Sequence, residues 1–206
     1  MRRGLRAKAA RIAAIATLAF ASSGALAHTD RVDAFMTVGP RALPPIGWVN
    51  FCKETPERCA SMRTEAVQVV LDEDLWRELV AVNAAVNGEV VPETDEDQWG
   101  IVERWSYPVS GRGDCEDYVL EKRARLIEAG WPMQTLLVTV VRDRKGDGHA
   151  VLTVRTDRGD FILDNQAPQV LAWTKTGYQF IKRQSQNDQN RWVSLGGFDT
   201  GLLTAR

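Results

Sequence analysis

The chain is poor in the residues that do chemistry near neutral pH. It has two histidines, His28 and His149, and three cysteines, Cys52, Cys59 and Cys115. No C-x-x-C or H-x-x-x-H spacing occurs, which argues against zinc held by Cys115, His149 and Asp164. Beyond the N-terminus no apolar run is long enough for a transmembrane helix, so the mature chain is expected to have no membrane anchor. Internal repeats are absent. Nor is there a basic surplus. Residues 1–27 hold five of the 26 Lys and Arg and none of the 27 Asp and Glu, so the remainder carries a net charge of −6. Such a chain has no electrostatic footprint for nucleic acid, though it suits solubility and cation binding.

The N-terminus explains part of this imbalance. Arg2, Arg3, Arg6, Lys8 and Arg11 precede an apolar stretch from Ile12 to Phe20, and Ala25-Leu26-Ala27 closes it. That is the pattern of a secretory signal peptide over residues 1–27, leaving 28–206 as one domain in the periplasm or secreted. His28 then lies at the mature N-terminus with no assigned role. In an oxidising compartment Cys52 and Cys59, seven apart, are expected to form a disulfide. Cys115 is left over, either buried and inert or a working thiol.

Residues 28 to about 60 hold Gly39, Pro40, Pro44, Pro45 and Gly47, and read as an irregular strap laid on the core by Trp48 and Phe51. Val67 to Leu71 reads as a short strand or a lead-in to a helix. Asp72 then caps a helix whose stripe is Leu75, Leu79, Val82 and Val86, ended at Asn87-Gly88. Glu89 to Gln98 reads as a loop, with Asp95, Glu96 and Asp97 as solvated carboxylates in preference to a cation site. Trp99, Trp105 and Tyr107 are expected to pack beneath the glycine-rich turn that follows. A second helix runs from Asp114 to about Ala129, stopped by Gly130 and Pro132. Strands follow over 135–141, 149–155 and 160–164, with edge strands at 178–183 and 191–195 and a polar hairpin loop at 184–190. Helices before an antiparallel sheet make an α+β fold.

The stretch Gly111-Arg112-Gly113-Asp114-Cys115-Glu116-Asp117-Tyr118 places the odd cysteine at a helix N-terminus. There the partial positive charge of the helix favours a thiolate. If 149–155 and 160–164 pair across a turn near 157, His149 lies within about two residues of Asp164. Cys115 as nucleophile, His149 as base and Asp164 as orienter would form a catalytic triad. The alternative is a structural role for all three in an ordinary core. Asp114, Glu116 and Asp117 oppose a thiolate. Either they point away and cap the helix, or a hard cation such as Ca²⁺ sits among them.

These residues also carry a resemblance. Gly113 to Tyr118 with Lys122, Gly148-His149-Ala150-Val151-Leu152 and Leu163-Asp164-Asn165 resemble the bacterial transglutaminase-like cysteine peptidases, over about residues 68 to 166. The compact chain and its Cys52/Cys59 strap look like the short alphaproteobacterial members. The resemblance implies a papain- or transglutaminase-like core with the nucleophile on a helix packed on an antiparallel sheet. It implies Cys115, His149 and Asp164 in the roles above. In an adhesin-cleaving member of the family, acids flanking the nucleophile bind calcium, and Asp114 and Glu116 match them, with Asp117 close by.

The expected activity is therefore an exported thiol protease acting on a surface or periplasmic protein, an adhesin being one candidate. A transglutaminase or amidase would use the same triad. A catalytically silent, calcium-ordered binding module is the alternative from outside enzymology. An inhibitory membrane partner finds no support in the sequence.

Overall fold

The computed structural model describes residues 34–61 and 63–196. The expected signal peptide, residues 1–27, and His28 lie outside the described residues.

Two helices carry most of the core-facing stripe. Helix α2 follows β1 (Val38–Ala42) and α1 (Ile46–Glu54) and spans Glu73–Glu89. Asp72 starts it by accepting a hydrogen bond from the Leu75 N–H at 2.8 Å. Leu79 and Val86 from its stripe are fully buried. After β2 (Val91–Pro92), α3 (Asp95–Trp99) and β3 (Arg112–Gly113) comes α4, Cys115–Glu128. Its end is a Schellman turn. Trp131 N–H bonds Leu126 O at 2.9 Å and Gly130 N–H bonds Ile127 O at 3.0 Å, with Gly130 at φ +98°.

The second half of the chain is sheet. Strands β4 (Leu136–Arg142), β5 (Gly148–Thr156), β6 (Gly159–Leu163), β7 (Leu171–Ala172), β8 (Gln179–Ser185) and β9 (Asp188–Leu195) join β1 in the order β1-β9-β8-β4-β5-β6-β7. Every named pair in it is antiparallel. Along β5, Ala150, Leu152 and Val154 face the helices, where they meet Leu79, Val119, Leu120 and Leu126. Val151 faces the other way, onto Met36, Ile162 and Phe180. Both faces of β5 are covered, which is why its sequence alternates only weakly.

The α+β expectation holds, and three local ones need correction. Residues 34–60 are not irregular. Pro40 sits in β1, which pairs only with β9, and an edge strand tolerates a residue without an N–H donor. Trp48 of α1 packs edge-on against Trp105 and Trp192, at 6.1 and 6.3 Å. The segment 89–98 contains β2 and α3 rather than loop alone. Both strands expected at an edge are interior: β9 lies between β1 and β8, and β8 lies between β9 and β4. Gln184 is buried in it, not in a loop: its side chain accepts from Val138 N–H and donates to Gln189 O, both at 3.0 Å, beside a break in register.

Cys52 and Cys59 form a disulfide with a sequence separation of 7. It ties the end of α1 to the turn that follows. Closing so short a loop is expected to contribute about 2–3 kcal/mol. Replacing both by alanine should lower the urea midpoint, with a denaturant slope the same or slightly steeper because the released unfolded chain exposes more surface.

Candidate active site

Two glycines shape the approach to Cys115, each for its own reason. Gly111 is in the left-handed region at φ +76°, closing a turn onto Pro108 O. Gly113 is needed for space: a Cβ there would lie 2.5 Å from Asp117 Oδ2. Strand β2 holds this turn, with Val91 N–H bonded to Gly111 O and Glu93 N–H to Gly113 O. Cys115 is then the first residue of α4, and the Asp114 side chain makes no capping hydrogen bond. Cys115 is half-buried, and the backbone N–H of Ala150 in β5 acts on its thiol in favour of the thiolate. Its thiol donates to Glu116 Oε2 at 3.1 Å. Burial, and then Glu116, push the thiol well above its ordinary range. The expected depression by the helix terminus is outweighed.

Ala150 follows His149 in β5, so the sulfur lies beside the start of that strand. Pairing of Leu152 with Leu163 and Thr156 with Gly159 places His149 and Asp164 on one face of the hairpin. His149 Nε2 and Asp164 Oδ1 are 2.8 Å apart and both residues are buried. Asp164 Oδ1 also accepts from Gln166 N–H at 2.9 Å, and Oδ2 from the Tyr178 hydroxyl at 2.6 Å. Asn83 and Asn87 of α2 bond the backbone of Asp164. Burial raises the Asp164 pKa, but the hydrogen bonds from His149 and Tyr178 prevail and hold it below the usual value. An ionised Asp164 accepts a hydrogen bond from Nε2–H, which leaves Nδ1 as the acceptor, with the Gln166 Nε2 amide donating to it at 3.4 Å. A neutral ring whose Nδ1 is the acceptor can take a proton from a thiol that displaces the Gln166 amide there.

The acids around the thiol fall into two overlapping groups. Asp114 lies with Cys115 and Glu116 in one, and with Asp95 and Asp117 in the other; ligand atoms within each lie within 4.8 Å of one another. Among the described residues, Cys115, His149 and Asp164 do not make such a group. Asp95 was expected in solvent, but it is buried, with Arg104 N–H donating to it. The capping threonine of α3 was the available signal: Thr94 accepts from Asp97 N–H, which turns Asp95 inward and leaves Glu96 and Asp97 exposed. Asp95 Oδ1, Asp114 Oδ1 and Asp117 Oδ2 are all buried without a hydrogen-bond partner. Burial drives the pKa of Asp117 to about 7 and of Glu116 to about 9, and raises Asp95 and Asp114 as well. The three aspartates offer the oxygen donors that a hard cation prefers.

Lys122 is fully buried on α4, with Nζ unbonded and 5.8 Å above the Tyr118 ring. Burial lowers its pKa from 10.5 to about 7, against the attraction of Asp164. The unfolded chain therefore binds more protons between these values, and this group's contribution is lost as pH falls through the window. Wild type should gain stability relative to Lys122→Met as pH rises from 7 to 10. Denaturation curves of both proteins at each end of that range test it.

Trp105 packs in the core as expected, and Tyr107 lies edge-on to Phe51 at 5.8 Å. Trp99 does not pack beneath the turn: it is exposed, under the Arg104 guanidinium at 4.5 Å.

A thiol on a helix, set against a sheet bearing a bonded imidazole and carboxylate, is the architecture of thiol enzymes with a papain- or transglutaminase-like core. Comparison with known proteins narrows that class. The family described as bacterial transglutaminase-like cysteine proteinase matches residues 38–200, and the chain belongs to it: this is a cysteine peptidase. In fold it is similar to calcium-bound Legionella pneumophila LapG, with 23% identity and a TM-score of 0.50, over 60% of this chain and 72% of that one. Another LapG structure gives 24% identity, TM-score 0.49 and coverage of 61% and 71%; an EGTA-treated one gives 23%, 0.48, 61% and 73%. No curated protein matches the chain.

Proposed function

We propose that the chain is an exported peptidase that cleaves a periplasmic or surface protein, with Cys115 as nucleophile, His149 as base and acid, and Asp164 as orienter. The observation that carries this is the buried 2.8 Å His149–Asp164 bond at the start of β5, the strand whose Ala150 N–H acts on the Cys115 thiol. Cys115 attacks the scissile carbonyl as His149 Nδ1 takes the thiol proton. His149 gives that proton to the leaving amine, and the amide carbon–nitrogen bond breaks. Water then hydrolyses the thioester, with His149 again as base. The Cys115 N–H at the start of α4 is suited to donate to the oxyanion.

Asp95, Asp114 and Asp117 would hold a calcium ion. Support comes from their three orphaned oxygens, from Gly113, whose missing Cβ leaves room for Asp117 Oδ2, and from calcium-bound LapG as a fold relative. Bound calcium would supply positive charge that offsets the acids beside the thiol and stiffens the turn. The residues of this chain do the proton and acyl transfers themselves.

Incubation of the protein with periplasmic and surface proteins tests the reading. Discrete fragments are expected. Cross-linked ladders on adding an amine would instead assign the same site to acyl transfer between proteins. The export route is tested by N-terminal sequencing of the mature protein, expected to begin at His28.

A further inference from the structure

Asp164 has two oxygens, and the proposed chemistry uses one. Oδ1 faces His149 Nε2; Oδ2 accepts from the Tyr178 hydroxyl at 2.6 Å. Tyr178 comes from outside the β5–β6 hairpin, one residue before β8. Its ring also stands edge-on to the His149 ring, at 5.8 Å and 83°. It thus touches both members of the pair.

Tyr178 is itself anchored. Gly177 is left-handed at φ +73°, which turns the chain into the site. The Tyr178 N–H bonds Thr176 Oγ1 at 3.2 Å, and buried Thr176 bonds Trp173 O at 2.9 Å. Arg144 lies over the Tyr178 ring at 5.9 Å while its Nε donates to Thr176 O at 2.9 Å. So much support around one hydroxyl exceeds what filling space requires.

We propose that Tyr178 is a positioning residue of the acyl-transfer site. Its hydroxyl pins Asp164 Oδ2, which stops the carboxylate from turning about its last torsion. Oδ1 then keeps one direction toward Nε2, and the His149 ring keeps Nδ1 as the acceptor, held by the Gln166 amide until the thiol proton takes that place. The proposal rests on the triad reading above. A carboxylate held through both oxygens restricts the ring more than one held through one.

Tyr178→Phe removes the hydroxyl and keeps the ring, its stack on His149 and its contact with Arg144. The expected result is a kcat about tenfold lower with KM within about twofold, since the lost hydrogen bond to a charge acts on orientation rather than binding. A second readout needs no turnover. The His149 Nε2 proton should give a slowly exchanging NMR signal in wild type that broadens or vanishes in Tyr178→Phe. In wild type alone, the Tyr178 hydroxyl proton should also exchange slowly, whether or not the variant folds. A fall in melting temperature with kcat and the imidazole signal unchanged overturns the proposal, as does rapid exchange of the wild-type hydroxyl. Cleavage by Cys115→Ala at the wild-type rate would overturn the triad reading instead, and the NMR signals would still decide whether Tyr178 holds the pair.

Discussion

Cys115→Ala should lose cleavage of the protein substrate by a factor on the order of 10³ or more while keeping its fold. In the proposed mechanism the sulfur forms the thioester, and an alanine methyl cannot replace it. Free cysteine is not needed for structure here, because the disulfide is formed by Cys52 and Cys59. Melting temperature should therefore change little, and circular dichroism not at all. His149→Ala should fall nearly as far. The double variant should be no worse than either single one, because groups that act as a unit are not additive. Additive losses, or a Cys115→Ala protein with wild-type cleavage, would remove the triad from the account. Iodoacetamide supplies a substrate-free check. Cys115 should react without reductant, and Cys52 and Cys59 should stay protected. Because Glu116 and Asp114 add to burial in pushing the thiol upward, that reaction should speed up when calcium offsets their charge.

Much of this site was legible because its signals are local. Gly111, Gly113, the helical period of 115–128 and Gly130 place Cys115 at a helix start without knowledge of the fold. His149 is the one histidine in the described body of the chain, and hairpin arithmetic brought Asp164 to it. What stayed hidden depends on contacts between distant segments. Nothing near Tyr178 announces that its hydroxyl ends on Asp164, 14 residues earlier. Asp95 reads as one acid in an exposed run until α3 turns it toward Asp114. Pro40 reads as a breaker until β9 makes its strand an edge. Burial produced the same blindness in the electrostatics. The helix terminus was visible from sequence, but the desolvation that reverses its effect on the thiol was not.

Calcium should change both the stability of this protein and the way that stability depends on pH. Without a cation, Asp117 titrates near 7 and Glu116 near 9, with burial as the main cause. A carboxyl whose folded pKa is raised is stabilising below its unfolded value, and that contribution is lost as pH rises through the folded one. In chelator, stability should therefore fall as pH climbs from about 4 through 7, and Glu116 should extend the fall toward 9. A divalent ion on Asp95, Asp114 and Asp117 prefers their ionised forms, so the slope should flatten or reverse. At a calcium concentration about a hundred times Kd the gain is about 2.7 kcal/mol, or roughly 5–10 °C in melting temperature for a domain of this size. Asp95→Ala should abolish the response because it removes one of three converging oxygens, whereas Glu96→Ala, on the exposed side of α3, should leave it intact. Melting curves at pH 5, 7 and 8.5 in calcium and in chelator decide the matter: superimposable curves would leave the buried acids as a protonated cluster rather than an ion site. Cleavage rates in the same buffers carry the argument to function. Calcium that offsets Asp114 and Glu116 should raise the cleavage rate as well as the melting temperature, because their negative charge adds to burial in keeping the Cys115 thiol protonated.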